Sequence, residues 1–317
     1  MNKINLLGIY TIFTFFFYFL NNTVEAKANG ELILSIDSLN LKKNVAFLSD
    51  LKPARNYKNP EILDSVAAYI YKHLKKNADT VYYQNFKVKG INYKNVIAKY
   101  GIKHAKKIIL GAHYDSCHDL PGADDNASGI AGLLEIGRNI PKQSLQHQIE
   151  LVAYTLEEPP FFRTEQMGSA IHAKSVDKEN VIGMICLEMI GYYSNEQNSQ
   201  KYPVEGMDKQ YPTKGNFIAV IGNLNQITFS NSISDLVTSK CKIDVVSFNG
   251  PPNMKGIDFS DHLNYWENNM KAVMITNTAF YRNKNYHTEL DVKETLNYSN
   301  MAWVVEGVLN AVCNYHE

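Results

Sequence analysis

The sequence predicts a single α/β domain with a mixed, largely parallel twisted sheet and helices on both faces of that sheet. Short apolar runs alternate with helix-like runs from residue 107 to the end of the chain, and such alternation builds parallel sheets covered by helices. No internal repeat, low-complexity tract or linker divides the 317 residues. One domain therefore accounts for residues 27–317.

A helix and a hairpin are expected before this alternation. Pro60–Lys75 places apolar side chains near helical spacing, and its proline stands at the start, where a helix tolerates it. Val81–Val88 and Tyr93–Tyr100 are bounded by turn residues and joined through Gly90, which predicts an antiparallel hairpin. We expect the helix to cover the sheet.

The alternation itself predicts strands and helices in turn. The strands are expected at Lys107–Gly111, Ile149–Thr155, Val181–Leu187, Phe217–Gly222 and Ala272–Thr276, and the helices at Ser128–Asn139, Glu165–Ser175, Thr228–Ser239 and near Glu294–Cys313. Sites in such sheets collect beyond the carboxyl ends of the strands. The long stretch Tyr192–Gly215 contains two prolines and is expected to form part of a binding-site rim.

The composition excludes a partner bound through overall charge. Basic and acidic residues both number 32, and 45% of the residues are hydrophobic, so a folded domain without a global field for nucleic acid or anionic membrane is expected. The cysteines show no CxxC spacing, which argues against a structural zinc knot or a redox dithiol. Three pairings are open to them, namely those among Cys117, Cys186, Cys241 and Cys313.

Residues 1–26 are predicted to be a cleaved signal peptide. Lys3 precedes the apolar stretch Leu6–Leu20, and small residues stand near Ala26 at the positions that a signal peptidase inspects. The alternative is an uncleaved anchor, since the apolar run approaches the length of a thin membrane span. We expect a secreted or periplasmic domain without stable membrane association after removal of the signal.

Metal-binding residue types follow several of the predicted strands. His113 and Asp115 are two residues apart at one strand end, so they point the same way, which suits a histidine ligand oriented by a carboxylate. Taken singly, each acid that follows is more often a solvated charge. Together, two histidines and several carboxylates fit zinc, and the later candidates are Asp124, Asp125, Glu157, Glu158, Glu188 and His287.

Five sequence blocks resemble metallopeptidase family twenty-eight, the group of secreted bacterial leucyl-type aminopeptidases with co-catalytic zinc. The resemblance spans about residues 55–315, and its blocks are His113–Gly129 (HYDSCHDLPGADDNASG), Glu157–Glu158, Leu187–Gly191 (LEMIG), Ser260–His262 (SDH) and Tyr286–Thr288 (YHT). It implies a zinc exopeptidase fold of the phosphorylase/hydrolase-like type. It also implies two zinc ions per chain and peptide substrates with a free amino terminus.

The resemblance assigns the metal ligands by position. His113, Asp125 and Glu188 would hold one zinc, and Asp125, Glu158 and His287 would hold the other, with Asp125 bridging. Many family members have aspartate where this chain has Glu188. Asp124 and Asp261 are expected to support the ligands, with Asp261 as the local competitor for a metal role.

Three residues are predicted to take part in catalysis. Glu157 is the expected general base, which takes a proton from a metal-bridging water and returns it to the leaving nitrogen. Asp115 is expected to orient His113. Tyr286 is expected to donate to the carbonyl oxygen as it gains charge, with simple packing as the alternative. For the nearby Cys117, a packed thiol, a disulfide and a stray metal ligand remain open.

Two other functions compete with the two-zinc aminopeptidase. Glutaminyl cyclases belong to the same superfamily and use one zinc to cyclise amino-terminal glutamine, but they tend to carry tryptophan where this chain has Tyr286. A non-catalytic binding ectodomain would share the fold after losing zinc ligands. Every expected ligand position is filled here, which favours an enzyme.

Overall fold

The computed structural model describes residues 36–252 and 254–316. The predicted signal peptide, residues 1–26, lies outside the described residues. Within the described part, no helix combines the length and the apolar character that crossing a bilayer requires.

A mixed eight-stranded sheet forms the centre of the described residues. Its strands are Thr80–Val88 (β1), Ile91–Tyr100 (β2), Lys107–His113 (β3), Gln148–Tyr154 (β4), Val181–Glu188 (β5), Ile218–Asn223 (β6), Val245–Gly250 (β7) and Ala272–Thr276 (β8). They lie in the order β1-β2-β4-β3-β5-β8-β6-β7. The central strands β4, β3, β5 and β8 are parallel, whereas β1 with β2, β2 with β4, and β6 with β8 are antiparallel. The predicted mixed, largely parallel sheet is confirmed.

Helices cover both faces of this sheet. They are Ser38–Ser49 (α1), Pro60–Leu74 (α2), Gly129–Asn139 (α3), Gly168–Ser175 (α4), Ile227–Thr238 (α5), His262–Glu267 (α6) and Tyr298–Asn314 (α7). On β5, Met184 and Cys186 share a buried cluster with Tyr265 of α6. The alternate residue Leu187 points the other way, because it lies beside Gly132 of α3. Helices on both faces are therefore confirmed.

The structure contains three elements that the sequence did not predict, and the ends of several predicted elements differ from the prediction. The strand β7, the helix α1 and the six-residue helix α6 were not predicted. The last helix starts at Tyr298 rather than near Glu294, because Asn297 caps it by accepting a hydrogen bond from the Asn300 N–H. Strand β3 continues two residues beyond Gly111, so His113 is its final residue.

The four cysteines form no disulfide in this fold. Cys117, Cys186, Cys241 and Cys313 are all free thiols, so none of the possible disulfide pairings is formed.

The stretch between β5 and β6 contains a single short 3₁₀ turn at Met207–Lys209 among the described residues. Part of this stretch lines an apolar cleft beside the carboxyl end of β5.

Candidate metal centre

The central parallel strands end at one edge of the sheet, and the candidate ligands collect there. His113 ends β3 and pairs with Tyr154 at the end of β4, while Glu188 ends β5 and pairs with Thr276 at the end of β8. Because these strands are parallel, their carboxyl ends face the same side. The loops that follow β4 and β8 then add Glu157, Glu158 and His287 at that edge.

The first group of ligands is fully buried. His113 Nε2 lies 3.4 Å from Asp125 Oδ1 and 3.3 Å from Glu188 Oε2. A tetrahedral zinc with bonds of about 2.0–2.2 Å separates its ligand atoms by about 3.3–3.6 Å. The spacing of these three side chains therefore fits one zinc ion.

The second group uses the other oxygen of the same aspartate. His287 Nε2 lies 3.1 Å from Asp125 Oδ2 and 3.3 Å from Glu158 Oε2. The structure thus brings together all five predicted ligands, with Asp125 between the two histidines. The His287 side chain is 28% exposed, whereas that of His113 is 1% exposed, so the second group opens toward solvent.

The pattern of unsatisfied atoms also fits a bound cation. Within the described residues, Glu158 Oε1 and His287 Nε2 are buried but have no hydrogen-bond partner. Burying charged or strongly polar atoms without partners is costly. A divalent cation with nitrogen and oxygen ligands compensates for such atoms, and this donor set is the one that zinc takes at catalytic sites.

The charges in the metal-free centre are divided unequally among its carboxylates. Burial raises the pKa of Glu157 and Glu158 well above the ordinary range, and neighbouring carboxylates add to the effect. Burial also acts against ionisation of Asp125, but the close contacts and positive charge of His113 and His287 outweigh it and hold the Asp125 pKa well below its usual value. Asp125 is therefore the carboxylate best suited to lie between two cations.

Asp115 contacts His113, as predicted, and also supports the two adjacent glutamates. Its carboxylate accepts hydrogen bonds from the Glu157 N–H at 3.2 Å and the Glu158 N–H at 3.1 Å. Its Oδ1 lies 3.6 Å from His113 Nδ1, while the backbone oxygen of Asp115 lies nearer to that nitrogen, at 3.2 Å. Asp115 thus fixes the backbone of both glutamates and contacts His113 through its carbonyl.

Asp124 points away from the candidate metal positions. Its Oδ1 accepts a hydrogen bond from the Gly191 N–H, and its Oδ2 accepts from the side-chain amides of Asn277 and Asn283. The neighbouring Asn126 donates to the Leu187 carbonyl. These bonds attach the loop that contains Asp125 to the ends of β5 and β8, so Asp124 supports the loop.

Arg55 and Asp291 hold the same loop and were missed from the sequence. The buried Arg55 guanidinium donates to the carbonyls of Pro121 and Gly122 at 2.5 and 2.6 Å. Asp291 accepts from the Asp124 and Asp125 N–H groups at 2.9 and 3.1 Å. The sequence did offer a signal for Asp291, because it is an acidic residue in the same loop as the candidate ligand His287. The sequence offered no such signal for Arg55, because this residue lies in an irregular turn that is far from the loop in sequence.

The predicted catalytic residues occupy different positions around the centre. Glu157 Oε2 lies 3.8 Å from His113 Nε2, so this carboxylate reaches the first ligand group. The Tyr286 ring stacks on His287, with centroids 3.8 Å apart. Asp261 is fully buried, and burial raises its pKa to about 7. Ser260 donates to Glu188 Oε2 at 2.6 Å, so the SDH block contacts a ligand through its serine.

Sharp turns in the backbone present three of these side chains. Leu156 before Glu157, Met189 after Glu188, and His287 itself have φ angles of 60°, 50° and 54°. Residues other than glycine are uncommon in this left-handed region, and each costs of order 1–3 kcal/mol. Such residues cluster where a fold aims side chains at a site, and these positions agree with that pattern.

An apolar cleft adjoins the first ligand group. The cleft is open to solvent on one side, and Glu188 lies in its wall. Aromatic side chains contribute much of the lining, among them Tyr202, Tyr211, Phe217, Phe248, Phe259 and Phe280. An apolar pocket beside a few polar groups is the usual form of a small-ligand site.

Similar proteins point to one family. A family model described as Peptidase family M28 matches residues 95–312. The uncharacterized protein YfbL of Escherichia coli (strain K12) is 44% identical over 282 residues, which are 86% of this chain and 87% of that protein. A probable leucine aminopeptidase of Arthroderma otae is 27% identical over 65% of this chain. The match covers 53% of that enzyme, so the chain corresponds to about half of its length.

Solved structures share the fold at low identity. LapB from Legionella pneumophila matches with a TM-score of 0.69 and 22% identity over 88% of this chain and 72% of its own. A Zn-dependent exopeptidase from Parabacteroides distasonis gives 0.65 and 20% over 89% and 99%. A glutaminyl cyclase from Bacteroides thetaiotaomicron gives 0.66 and 18% over 89% and 99%. Since the family model covers most of the described domain and the resemblance found in the sequence agrees with it, the chain belongs to Peptidase family M28.

Proposed function

We propose that this chain is a two-zinc aminopeptidase that removes residues from the free amino end of peptides. One observation carries the proposal. Asp125 presents its two oxygens to two different histidines, at 3.4 Å from His113 and 3.1 Å from His287, and each histidine has a further carboxylate within 3.3 Å. This arrangement suits two adjacent cations that share one ligand.

The residues that would hold zinc are those that the family resemblance assigned. His113 and Glu188 would complete one position, Glu158 and His287 the other, and Asp125 both. When bound, zinc would act as a Lewis acid toward the scissile carbonyl and bring the pKa of water to about 7. The structural neighbour from Parabacteroides distasonis is a Zn-dependent exopeptidase, which supports this choice of metal.

Glu157 is the proposed proton carrier of the reaction. It is not needed as a ligand, yet its Oε2 reaches within 3.8 Å of His113 Nε2. Its backbone N–H is fixed by the Asp115 carboxylate. From this position Glu157 would take a proton from the attacking water and deliver it to the departing amine. Tyr286, held by stacking on His287, is the proposed donor to the carbonyl oxygen.

Substrate binding follows from the charge and the shape of the same region. The acidic surround of the centre attracts a free α-amine, so substrates blocked at the amino end should react poorly. The apolar cleft beside Glu188 suits a large apolar first side chain. We further propose that residues 1–26 direct the domain to a secreted or periplasmic location, which sequencing of the mature amino terminus would test.

The proposal is tested with a panel of amino-acid anilides. We expect release of anilide that a chelator abolishes and added zinc restores, with leucine or phenylalanine anilides favoured and the N-acetylated anilide inert. A glutaminyl peptide assayed alongside tests the second candidate function, glutaminyl cyclase, which the shared fold of the Bacteroides thetaiotaomicron enzyme supports. Cyclisation without anilide release would overturn the aminopeptidase proposal.

A further inference from the structure

The two histidines of the candidate centre have different partners on their outer nitrogens. His113 Nδ1 lies 3.2 Å from the Asp115 carbonyl oxygen. His287 Nδ1 lies 3.5 Å from the sulfur of Cys117. Metal-binding histidines usually donate this second N–H to a carboxylate, a carbonyl or water, so the contact with a thiol sets His287 apart.

The orientation of the His287 ring indicates whether Cys117 is a metal ligand or a hydrogen-bond partner of a metal ligand. Its Nε2 lies within 3.3 Å of carboxylate oxygens of both Asp125 and Glu158, so this nitrogen faces the second metal position. The nitrogens of an imidazole diverge, and Nδ1 is then left to face Cys117. Cys117, Glu158 and His287 lie close enough to form a three-ligand group, but the sulfur contacts Nδ1 whereas the Glu158 carboxylate lies beside Nε2, so the thiol and the carboxylate lie on different nitrogens of the ring.

Burial limits the choice of partner for the His287 Nδ1 hydrogen. Cys117 is 5% exposed, and it lies with Asp125 and His287 in the wall of a small pocket. Because its sulfur lies 3.5 Å from Nδ1, the thiol is positioned to accept the ring hydrogen. A thiol is a weaker acceptor than an oxygen atom, so this support is weaker than the one His113 receives from Asp115.

We propose that Cys117 is a positioning residue of the second metal position, whose sulfur accepts the His287 Nδ1 hydrogen and turns Nε2 toward Asp125 and Glu158. Because sulfur is a weak acceptor, the second position is the one that empties first. This inference rests on the proposed two-zinc centre. It concerns the orientation of one ligand and requires no bond between the thiol and the metal.

The test measures zinc affinity at both positions by competition with a chelator, using the whole chain. Losing an outer partner of a metal ligand costs about 10–100-fold in affinity, so Cys117→Ala should weaken the second zinc by about 10-fold and leave the first unchanged. Cys117→Asp, which offers an oxygen acceptor, should hold the second zinc at least as tightly as the unaltered chain. Cys313→Ala is the matched control, since it removes another buried thiol and should change neither affinity.

Each outcome decides a separate point. If the unaltered chain binds two zinc ions and Cys117→Ala binds both equally well, the positioning role is wrong while the proposed function stands. If the unaltered chain binds only one zinc, the two-zinc function fails and this inference fails with it. A sulfur-to-metal charge-transfer band in the cobalt-substituted chain, lost in Cys117→Ala, would make Cys117 a direct ligand and overturn the proposal. Retention of the first zinc in Cys117→Ala shows that the variant is folded.

Discussion

The two halves of the candidate metal centre share Asp125 but are built in different ways. The His113 half belongs to the sheet, because His113 and Glu188 are the final residues of β3 and β5. The His287 half belongs to loops, and its histidine has a left-handed backbone conformation. The side chain of His287 is 28% exposed against 1% for His113.

The two histidines therefore differ in how rigidly the fold holds them. The strands β3 and β5, which carry His113 and Glu188, each pair with a neighbouring strand on both sides, so the ends of these strands tolerate little movement. A histidine in a loop depends on its neighbours, here Cys117 and the stacked ring of Tyr286. We therefore expect the first zinc position to be coupled to folding and the second to be the labile one.

The largest effect is expected for the pair of adjacent glutamates. Glu157→Gln should keep about two zinc ions and lose turnover by at least the ~10²–10⁴-fold usual for acid–base groups. Glu158→Gln should instead lose zinc from the second position, because it removes a ligand charge. Metal analysis and anilide kinetics on both variants check this. Substantial activity in Glu157→Gln would remove that residue from the mechanism.

The two histidines should differ in what they contribute to stability without metal. His113→Ala leaves buried carboxylates without their partner and should cost about 3–5 kcal/mol of unfolding free energy. His287→Ala should cost less than His113→Ala, because the side chain is partly exposed. Urea unfolding of the chelator-treated variants measures both. Equal losses would mean that the two halves are equally coupled to the fold.

Two buried arginines form a matched pair, because Arg55 donates to the loop of Asp125 and Arg282 donates elsewhere. Arg55→Met removes the hydrogen bonds to the Pro121 and Gly122 carbonyls, and should weaken zinc binding at both positions by about 10–100-fold. Arg282→Met removes comparable bonds to Gln200 and Phe217 and should lower stability without changing zinc affinity. Titration with a chelator distinguishes them, and equal zinc affinities in the two variants would contradict this role of Arg55.

A further expected effect is a pH dependence of the metal-free chain. Burial lowers the pKa of His287, but the nearby Asp125 carboxylate outweighs it and raises the pKa from 6.5 to about 10. A raised histidine pKa contributes stability in full below pH 6.5, and this contribution is lost as the pH rises through about 10. His287→Gln should therefore show a shallower loss of stability over that range. Parallel pH curves for the two chains would contradict the prediction.

Regular patterns in the sequence were enough to predict most of the sheet. Alternation of apolar runs with turn residues placed β1 to β6 and β8 within a few residues, because strands and helices impose their own periods on the side chains. The edge strand β7 was missed because its residues are only partly buried and so show no clear pattern. Helix α6 was missed because six residues are too few to establish a helical period.

The metal-type residues were also visible in the sequence, since histidines and acids at successive strand ends are few and the family blocks give their order. Their supports were not visible. The Arg55 contacts cross 66 and 67 residues of chain, and the contact of Cys117 with His287 crosses 170. Sequence patterns record what each segment forms and which chemistry it carries. Which side chains meet across such distances, and how open each half of the centre is, depends on how the segments pack, because those contacts exist only once the sheet has assembled.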